Sequence, residues 1–395
     1  MIDITEDQVI NDVSGNVTED DAVELFGDKA VRWYQIAARN ATEQHLAANP
    51  KARVLIVLPT GAGKTITSGL IFSSREIRKA LNVPEDRNLR LLFIAHKHRL
   101  LTQAEAAYAA AEGVDFVAQS AFADLPKEVL ETGWDVACID EAHHEAMSSI
   151  QYQLDLLGDK PIIGLTATPD RADGCVIKFD HIVEPISREQ AVKEGWLAQT
   201  RIHTFVDVPS KDKTGVLTDI FTNFGDQMGQ TMVFVKTKKE VSDVTLALLN
   251  LGYTAVGVTN QRERDLNRIL DEFSAGTLQF IVNCSKINEG VDVKGCTDVI
   301  LGRQFGSYPQ LNQVIGRASR NDSECNVWEL VNPLNGRNLD TTVVVGTPEF
   351  HRLVSKEGGK WVERKFDYVS HQSNKQLGIA DGIRIRHAGT SGRVQ

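Results

Sequence analysis

Short apolar runs alternate with longer amphipathic segments, and the alternation occurs twice along the chain. The first series runs RVLIVLP (53–59), a helix opening after Thr65, LRLLFIAH (89–96), a helix over 99–113, DVACID (135–140) and PIIGLTAT (161–168). The second runs TMVFVKT (231–237), a helix over 239–252, TAVGVT (254–259), a helix over 262–276, QFIVNCS (279–285) and DVILG (298–302). Apolar runs of strand length separated by helices of ten or more residues predict parallel sheets built from βαβ units. Two series predict two α/β domains. The pattern breaks at 194–215, where Gly, Pro and Lys/Asp interrupt it, so the join is placed there.

Composition narrows the class. At 395 residues, 42% hydrophobic and 24% charged, the chain has an ordinary globular balance with room for two domains. The acidic start MIDITEDQ is unlike a secretory signal, and no apolar run approaches a membrane span, which points to a cytoplasmic protein without membrane association. Five scattered cysteines (138, 175, 284, 296, 325) form no C-x-x-C pair, so neither a disulfide framework nor a zinc ribbon is supported. The net charge of −10 argues against a nucleic-acid partner until its distribution is considered. Residues 1–30 hold nine acids against one lysine and read as a solvated terminus, whereas 351–395 hold nine Lys/Arg against four acids.

The first candidate site is VLIVLPTGAGKT, Val54 to Thr65. A buried strand enters a loop of Thr60, Gly61, Ala62 and Gly63, and Lys64-Thr65 open a helix. Small residues let backbone N–H groups close around phosphate oxygens, Lys64 reaches the terminal phosphates, and the Thr65 hydroxyl ligates magnesium. The general pattern G-x-x-x-x-G-K-S/T asks for Gly at position 58, where this chain has Leu58.

The second candidate is CIDEAHHEAM (138–147), whose acids, histidines and thiol invite a zinc reading. A zincin helix needs H-E-x-x-H, but Glu145 is followed by Ala146, Met147 and Ser148. The apolar run before Asp140 instead predicts a strand that delivers an acid at its C-terminal end, where α/β proteins bind ligands. Paired with the glycine-rich loop, Asp140 would hold magnesium and Glu141 would orient the attacking water. His143 is expected to hydrogen-bond within the site and His144 to lie on the surface.

PTGAGKT (59–65), DEAH (140–143), LTATPDR (165–171) and QVIGRASR (313–320) stand in an order that resembles the superfamily 2 helicases, over roughly 31–335. AHKHRLLTQ (95–103), LTATPDR and INEGVDV (287–293) look most like phage branched-DNA helicases and the motor subunits of type I and III restriction enzymes. The resemblance implies two tandem RecA-like parallel-sheet domains with ATP and Mg2+ in the cleft between them. It divides the chain into an acidic leader (1–30), a first domain (31–195), a linker (196–215), a second domain (216–350) and a basic tail (351–395).

The resemblance also assigns roles. Gln35 meets the adenine edge with Arg32 beside it; Thr166 and Thr168 couple the ATP site to the nucleic acid; Gly290 and Asp292 approach the nucleotide; Gln313 sits near the γ-phosphate; Arg317 and Arg320 are arginine fingers. The family usually has Pro where this chain has Trp33. His96, Arg99, Gln103, Gln119, Ser120, Lys236 and Thr237 follow strand ends and are candidates for nucleic-acid contact. KWVERKFDYV (360–369) reads as an edge strand, with a base-stacking platform as the alternative. Glu363-Arg364-Lys365 has the E-x-K of a nuclease but no upstream acid to complete it, so cutting is not expected.

Three readings follow: an ATP-driven motor on duplex or branched DNA, an RNA helicase with the same engine, and a nonmotor nucleic-acid-binding protein that uses ATP as a switch. The intact Lys64, Glu141, Arg317 and Arg320 favour a motor. Such proteins belong to the cytoplasm of bacteria or of phage-infected hosts.

Overall fold

The computed structural model describes residues 25–27, 29–96, 98–144, 148–168, 179–206, 212–284, 293, 295–318, 325–331, 339–346, 348 and 350–365. The chain divides into two compact units, 1–187 and 188–395.

In the first unit a short hairpin, β1 (Leu25–Phe26) and β2 (Lys29–Ala30), precedes α1 (Trp33–Ala48). There follow β3 (Arg53–Val57), α2 (Lys64–Ser73), α3 (Arg75–Ala80), β4 (Leu89–Ala95), α4 (His98–Tyr108), β5 (Val114–Ser120), α5 (Lys127–Thr132), β6 (Val136–Asp140), α6 (Ser148–Leu157), β7 (Ile162–Thr166) and β8 (His181–Val183). Six strands form one sheet in the order β5-β4-β6-β7-β3-β8, every pair parallel. All C-terminal strand ends therefore share one edge. Val54 to Val57 of β3 and Val136 to Ile139 of β6 are buried, as expected for strands covered on both faces.

The second unit holds α7 (Arg188–Lys193), β9 (Thr200–Val206), α8 (Lys213–Phe224), β10 (Thr231–Phe234), α9 (Lys238–Asn250), β11 (Ala255–Val258), α10 (Glu263–Ser274), β12 (Phe280–Asn283), β13 (Asp298–Leu301), α11 (Tyr308–Ile315), β14 (Cys325–Val331), α12 (Thr342–Val345), β15 (Phe350–Glu357) and β16 (Lys360–Lys365). Its sheet runs β11-β12-β10-β13-β14-β9-β15-β16, parallel except for the antiparallel β15–β16 pair. Amphipathic spacing explains the helices: Leu266, Ile269, Leu270 and Phe273 of α10 enter the core at i, i+3, i+4 and i+7. Thr237 caps α9, its hydroxyl accepting from Glu240 N at 3.1 Å while Glu240 Oε2 accepts from Thr237 N at 3.1 Å.

Two sequence expectations change. The linker placed at 196–215 contains β9, which is buried between β14 and β15, and the division between units falls earlier, after Ser187. The basic tail placed at 351–395 begins as part of the sheet: β15 pairs with β9, and β16 forms the edge strand read from KWVERK. Residues 366–395 and 1–24 lie outside the described residues. No described helix is long and apolar enough to cross a membrane.

At the opposite, N-terminal edge of the first sheet, Arg87 grips Asp135 through Nη1 and Nη2 at 2.6 and 2.8 Å, and Arg90 N adds a third bond at 2.9 Å. Burial alone would raise the Asp135 carboxyl, but these donors hold it below the usual aspartate range. The stabilisation is thus present above about pH 4 and lost as pH falls through the depressed value. Asp135→Asn is expected to cost roughly 1–3 kcal/mol in denaturant unfolding at pH 7, with the deficit shrinking toward pH 3. A deficit independent of pH would contradict this role.

Candidate nucleotide site on the first sheet

The site grows from the edge where β3, β6 and β7 end. After β3, Leu58 N donates to Thr166 O at 3.0 Å, and Ala62 N turns back onto Pro59 O at 3.0 Å. Gly61 and Gly63 hold φ of 93° and 86°, the left-handed region that glycine enters without a Cβ penalty. Gly63 is the N-cap of α2 and brings no capping side chain. The first-turn N–H groups of α2 have no partner within the helix, which makes this helix start an anion site. Thr60 is buried, and its hydroxyl oxygen has no hydrogen-bond partner among the described residues.

The loop is braced from α1. Gln35 is 1% exposed; its Oε1 accepts from Arg32 N at 3.0 Å, and its Nε2 donates to Ala62 O at 3.2 Å and, more weakly, to Gly63 O at 3.5 Å. Tyr34, fully buried, donates from Oη to Ala62 O at 2.9 Å and accepts from Arg32 Nη1 at 2.8 Å. Gln35, which the resemblance sends to the adenine edge, therefore has both ends of its amide engaged inside the fold. Tyr34 was not singled out in the sequence; its partner lies 28 residues away, and only the tertiary fold reveals the bond.

At the end of β6, Asp140 Oδ1 accepts from Glu141 N at 3.0 Å. Burial, and then the neighbouring Glu141 carboxylate, push the Asp140 carboxyl up to about 6, against the pull of Lys64. Glu141 adopts φ of 52°, rare for a residue with a Cβ and typical of sites whose surroundings impose a conformation. Its Oε1 lies 3.5 Å from Lys64 Nζ and its Oε2 3.5 Å from His143 Nδ1. His143 Nδ1 also stands 3.2 Å from Thr166 Oγ1. Thr166 donates its only hydroxyl hydrogen to Thr168 O at 2.8 Å while accepting from Thr168 N at 3.1 Å. His143 Nδ1 must then be the donor to Thr166, which fixes the tautomer. An unbroken polar chain runs from the lysine of the glycine-rich loop through Glu141 and His143 to Thr166 and Thr168. Thr65 opens the same helix as Lys64, so Lys64, Thr65, Asp140, Glu141, Thr166 and Thr168 gather on one sheet edge.

The other expected residues fare differently. Gln119 is 3% exposed and donates from Nε2 to Ser120 O and Ala123 O at 2.9 and 2.8 Å, so it builds its own loop. Ser120 Oγ accepts from Phe122 N at 3.2 Å. His96 is half-buried at the end of β4. The side chains of Arg99, Gln103 and His144 lie outside the described residues. In the second unit, Lys236 is exposed, and with Thr237, Lys213, Lys239 and the acids Asp212, Glu240 and Asp243 it lines an open cavity of about 660 Å3. Gln313 and Arg317 are buried at α11 and just beyond it. Gly290, Asp292 and Arg320 lie outside the described residues.

A glycine-loop helix start on a fully parallel sheet, followed by a second parallel-sheet unit, defines two tandem RecA-like domains. The chain is similar to the superfamily 2 helicases. The family model for the type III restriction enzyme res subunit matches residues 28–123, the model for the helicase conserved C-terminal domain matches 212–322, and together they span more than half of the chain. A type I restriction enzyme EcoAI endonuclease subunit of Escherichia coli is 26% identical, over 74% of this chain and 44% of its own length. The DNA 3'-5' translocase XPB2 of Sulfurisphaera tokodaii is 24% identical, over 81% of this chain and 86% of that protein. Among solved structures, a fragment of a type I restriction enzyme HsdR subunit from Vibrio vulnificus shares the fold at a TM-score of 0.66 and 22% identity, covering 84% of this chain and 70% of that one. The chain spans about half the length of several curated relatives it matches.

A Cβ on Gly63 would stand 2.6 Å from Gln35 Nε2, on a backbone that already disfavours side chains. Gly63→Ala is expected to destabilise the first unit by roughly 1–3 kcal/mol. Combining it with Gln35→Ala should cost less than the sum of the two single changes, because the clash is removed. Strict additivity in unfolding experiments would refute the close packing of helix α1 on the loop.

Proposed function

We propose that the chain hydrolyses ATP to drive movement on DNA, and the polar chain from Lys64 through Glu141 to His143 and Thr166 is the observation that carries the reading. The glycine-rich loop and the start of α2 bind the triphosphate, Lys64 holds its terminal phosphates, Arg32 borders the base, and Gln35 braces the loop from behind. Thr65 and Asp140 would hold Mg2+. The fit rests on oxygen donors gathered at one helix start and one strand end, and on the buried Thr60 hydroxyl beside them, which has no hydrogen-bond partner among the described residues. Mg2+ held by these residues would supply positive charge to offset that of the phosphates. Glu141 takes a proton from the attacking water, the new P–O bond forms as the bond to ADP breaks, and inorganic phosphate leaves. Gly290, Asp292, Gln313, Arg317 and Arg320 of the second unit serve the same nucleotide, the arginines countering the charge of the transferring phosphoryl group. His143, Thr166 and Thr168 relay the state of the nucleotide to the nucleic-acid track, to which His96, Arg99, Gln103, Ser120, Lys236 and Thr237 contribute.

DNA is favoured over RNA because a relative matching 81% of the chain is named a DNA translocase and one matching 74% a restriction enzyme endonuclease subunit, whereas the named RNA helicases match 22% and 21% of it. The basic balance after residue 350 suits a second arm of a forked or branched duplex.

ATPase rates measured without nucleic acid and with single-stranded, duplex and forked DNA and RNA test the reading. We expect a low basal rate that rises most with DNA; stimulation by RNA well above that by DNA would replace the DNA assignment. Glu141→Gln should keep ATP binding and lose about a hundredfold or more in turnover, and near wild-type turnover would remove Glu141 as the base. Arg320→Ala should likewise reduce turnover on the order of a hundredfold or more at saturating ATP; weakened ATP binding at unchanged turnover would refute the finger role.

A further inference from the structure

The loop after the edge strand β5 carries a side chain that the nucleotide chemistry leaves unused. Phe122 is 65% exposed, while its neighbours Ala121 and Leu125 are buried at 1% and 7%. The loop beneath the ring is held from two sides. Gln119 and Gln153 of α6, each almost fully buried, both donate to the carbonyls of Ser120 and Ala123, Gln153 at 2.9 and 2.7 Å. Phe122 N adds its bond to Ser120 Oγ, and Ala121 N donates to Ala95 O at 2.9 Å. Two buried amides thus fix a turn that presents one aromatic ring to solvent. Because β5 runs parallel to β4 and β4 to β6, the ring stands on the edge that also carries His96 and Asp140. The ends of β5 and β6 are two strand spacings apart, roughly 10 Å.

We propose that Phe122 is a stacking platform for a base of a single-stranded nucleic acid lying along this edge of the first sheet; the proposal rests on the reading of the chain as a nucleic-acid motor. A ring held by its backbone loses little freedom when a base settles on it, and every base offers a π-face, so the contact tolerates any sequence. The surroundings suit a base better than a protein partner. Asp124 and Lys127, which follow Phe122 in the chain, are exposed and charged, so the sequence around the ring is mixed and not apolar.

The test compares wild type with Phe122→Ala, Phe122→Leu and Phe122→Trp in fluorescence anisotropy with labelled oligodeoxythymidine and a matched RNA at fixed salt, with thermal unfolding measured alongside. We expect the Ala and Leu variants to bind single strands about tenfold more weakly at an unchanged melting temperature. The Trp variant should keep its affinity, and its added emission should be quenched by the bound strand. Wild-type affinity in Phe122→Ala overturns the platform, as does full affinity in Phe122→Leu without quenching in Phe122→Trp, the pattern of a plain apolar contact. Failure of the wild type itself to bind any nucleic acid overturns the motor reading together with the platform, so the two failures are distinguishable.

Discussion

The geometry of the candidate site turns on the polar contacts that join Glu141, His143 and Thr166. Glu141 stands between a lysine and an imidazole, each 3.5 Å from one of its oxygens. The imidazole is oriented by a threonine that has already given its own hydrogen to Thr168 O. Glu141 meets these partners from a backbone with a left-handed φ of 52°. The sheet makes this possible. Parallel pairing of β3 with β7 and β7 with β6 brings the loop lysine, the strand-end acids and Thr166 to one edge without any long-range search among loops.

A second constraint acts on the loop itself. Its two left-handed glycines permit the turn but do not select it, since glycine visits many conformations. Selection comes from α1, where Tyr34 and Gln35 converge on the Ala62 carbonyl. The loop is thereby held in place by the fold itself, without a ligand. The same device recurs at the end of β5, where Gln119 and Gln153 share two carbonyl acceptors.

The strands beside the site were legible in the sequence because central parallel strands are buried on both faces and read as unbroken apolar runs, as in RVLIV and VACID. The edge strand β5, VDFVAQS, was not, since Gln119 alone of its seven residues is buried. Strand β9 was mistaken for linker because TRIHTFV carries polar residues that the core accepts. His203 stacks on Trp328 with ring centroids 4.0 Å apart, Nε2 meets Asn326 Oδ1 at 3.2 Å, and burial pushes its imidazole down to about 3, so it stays neutral. Thr204 gives its hydroxyl to Glu329 at 2.5 Å. The glycine loop, Lys64, Asp140 and Glu141 were legible from residue types at fixed spacing. The bracing roles of Gln35 and Gln119 were not, because a buried amide in a strand-end or helix-start position looks the same in sequence whether it serves a ligand or the fold.

Whether Glu141, His143 and Thr166 act as one unit is decided by a double-mutant cycle. Turnover of the nucleic-acid-stimulated ATPase would be measured for His143→Ala, Thr166→Val and the double variant. The account predicts that the double variant loses little more than the worse single variant, because either change breaks the same chain. Losses that multiply would show the two residues acting independently and contradict it.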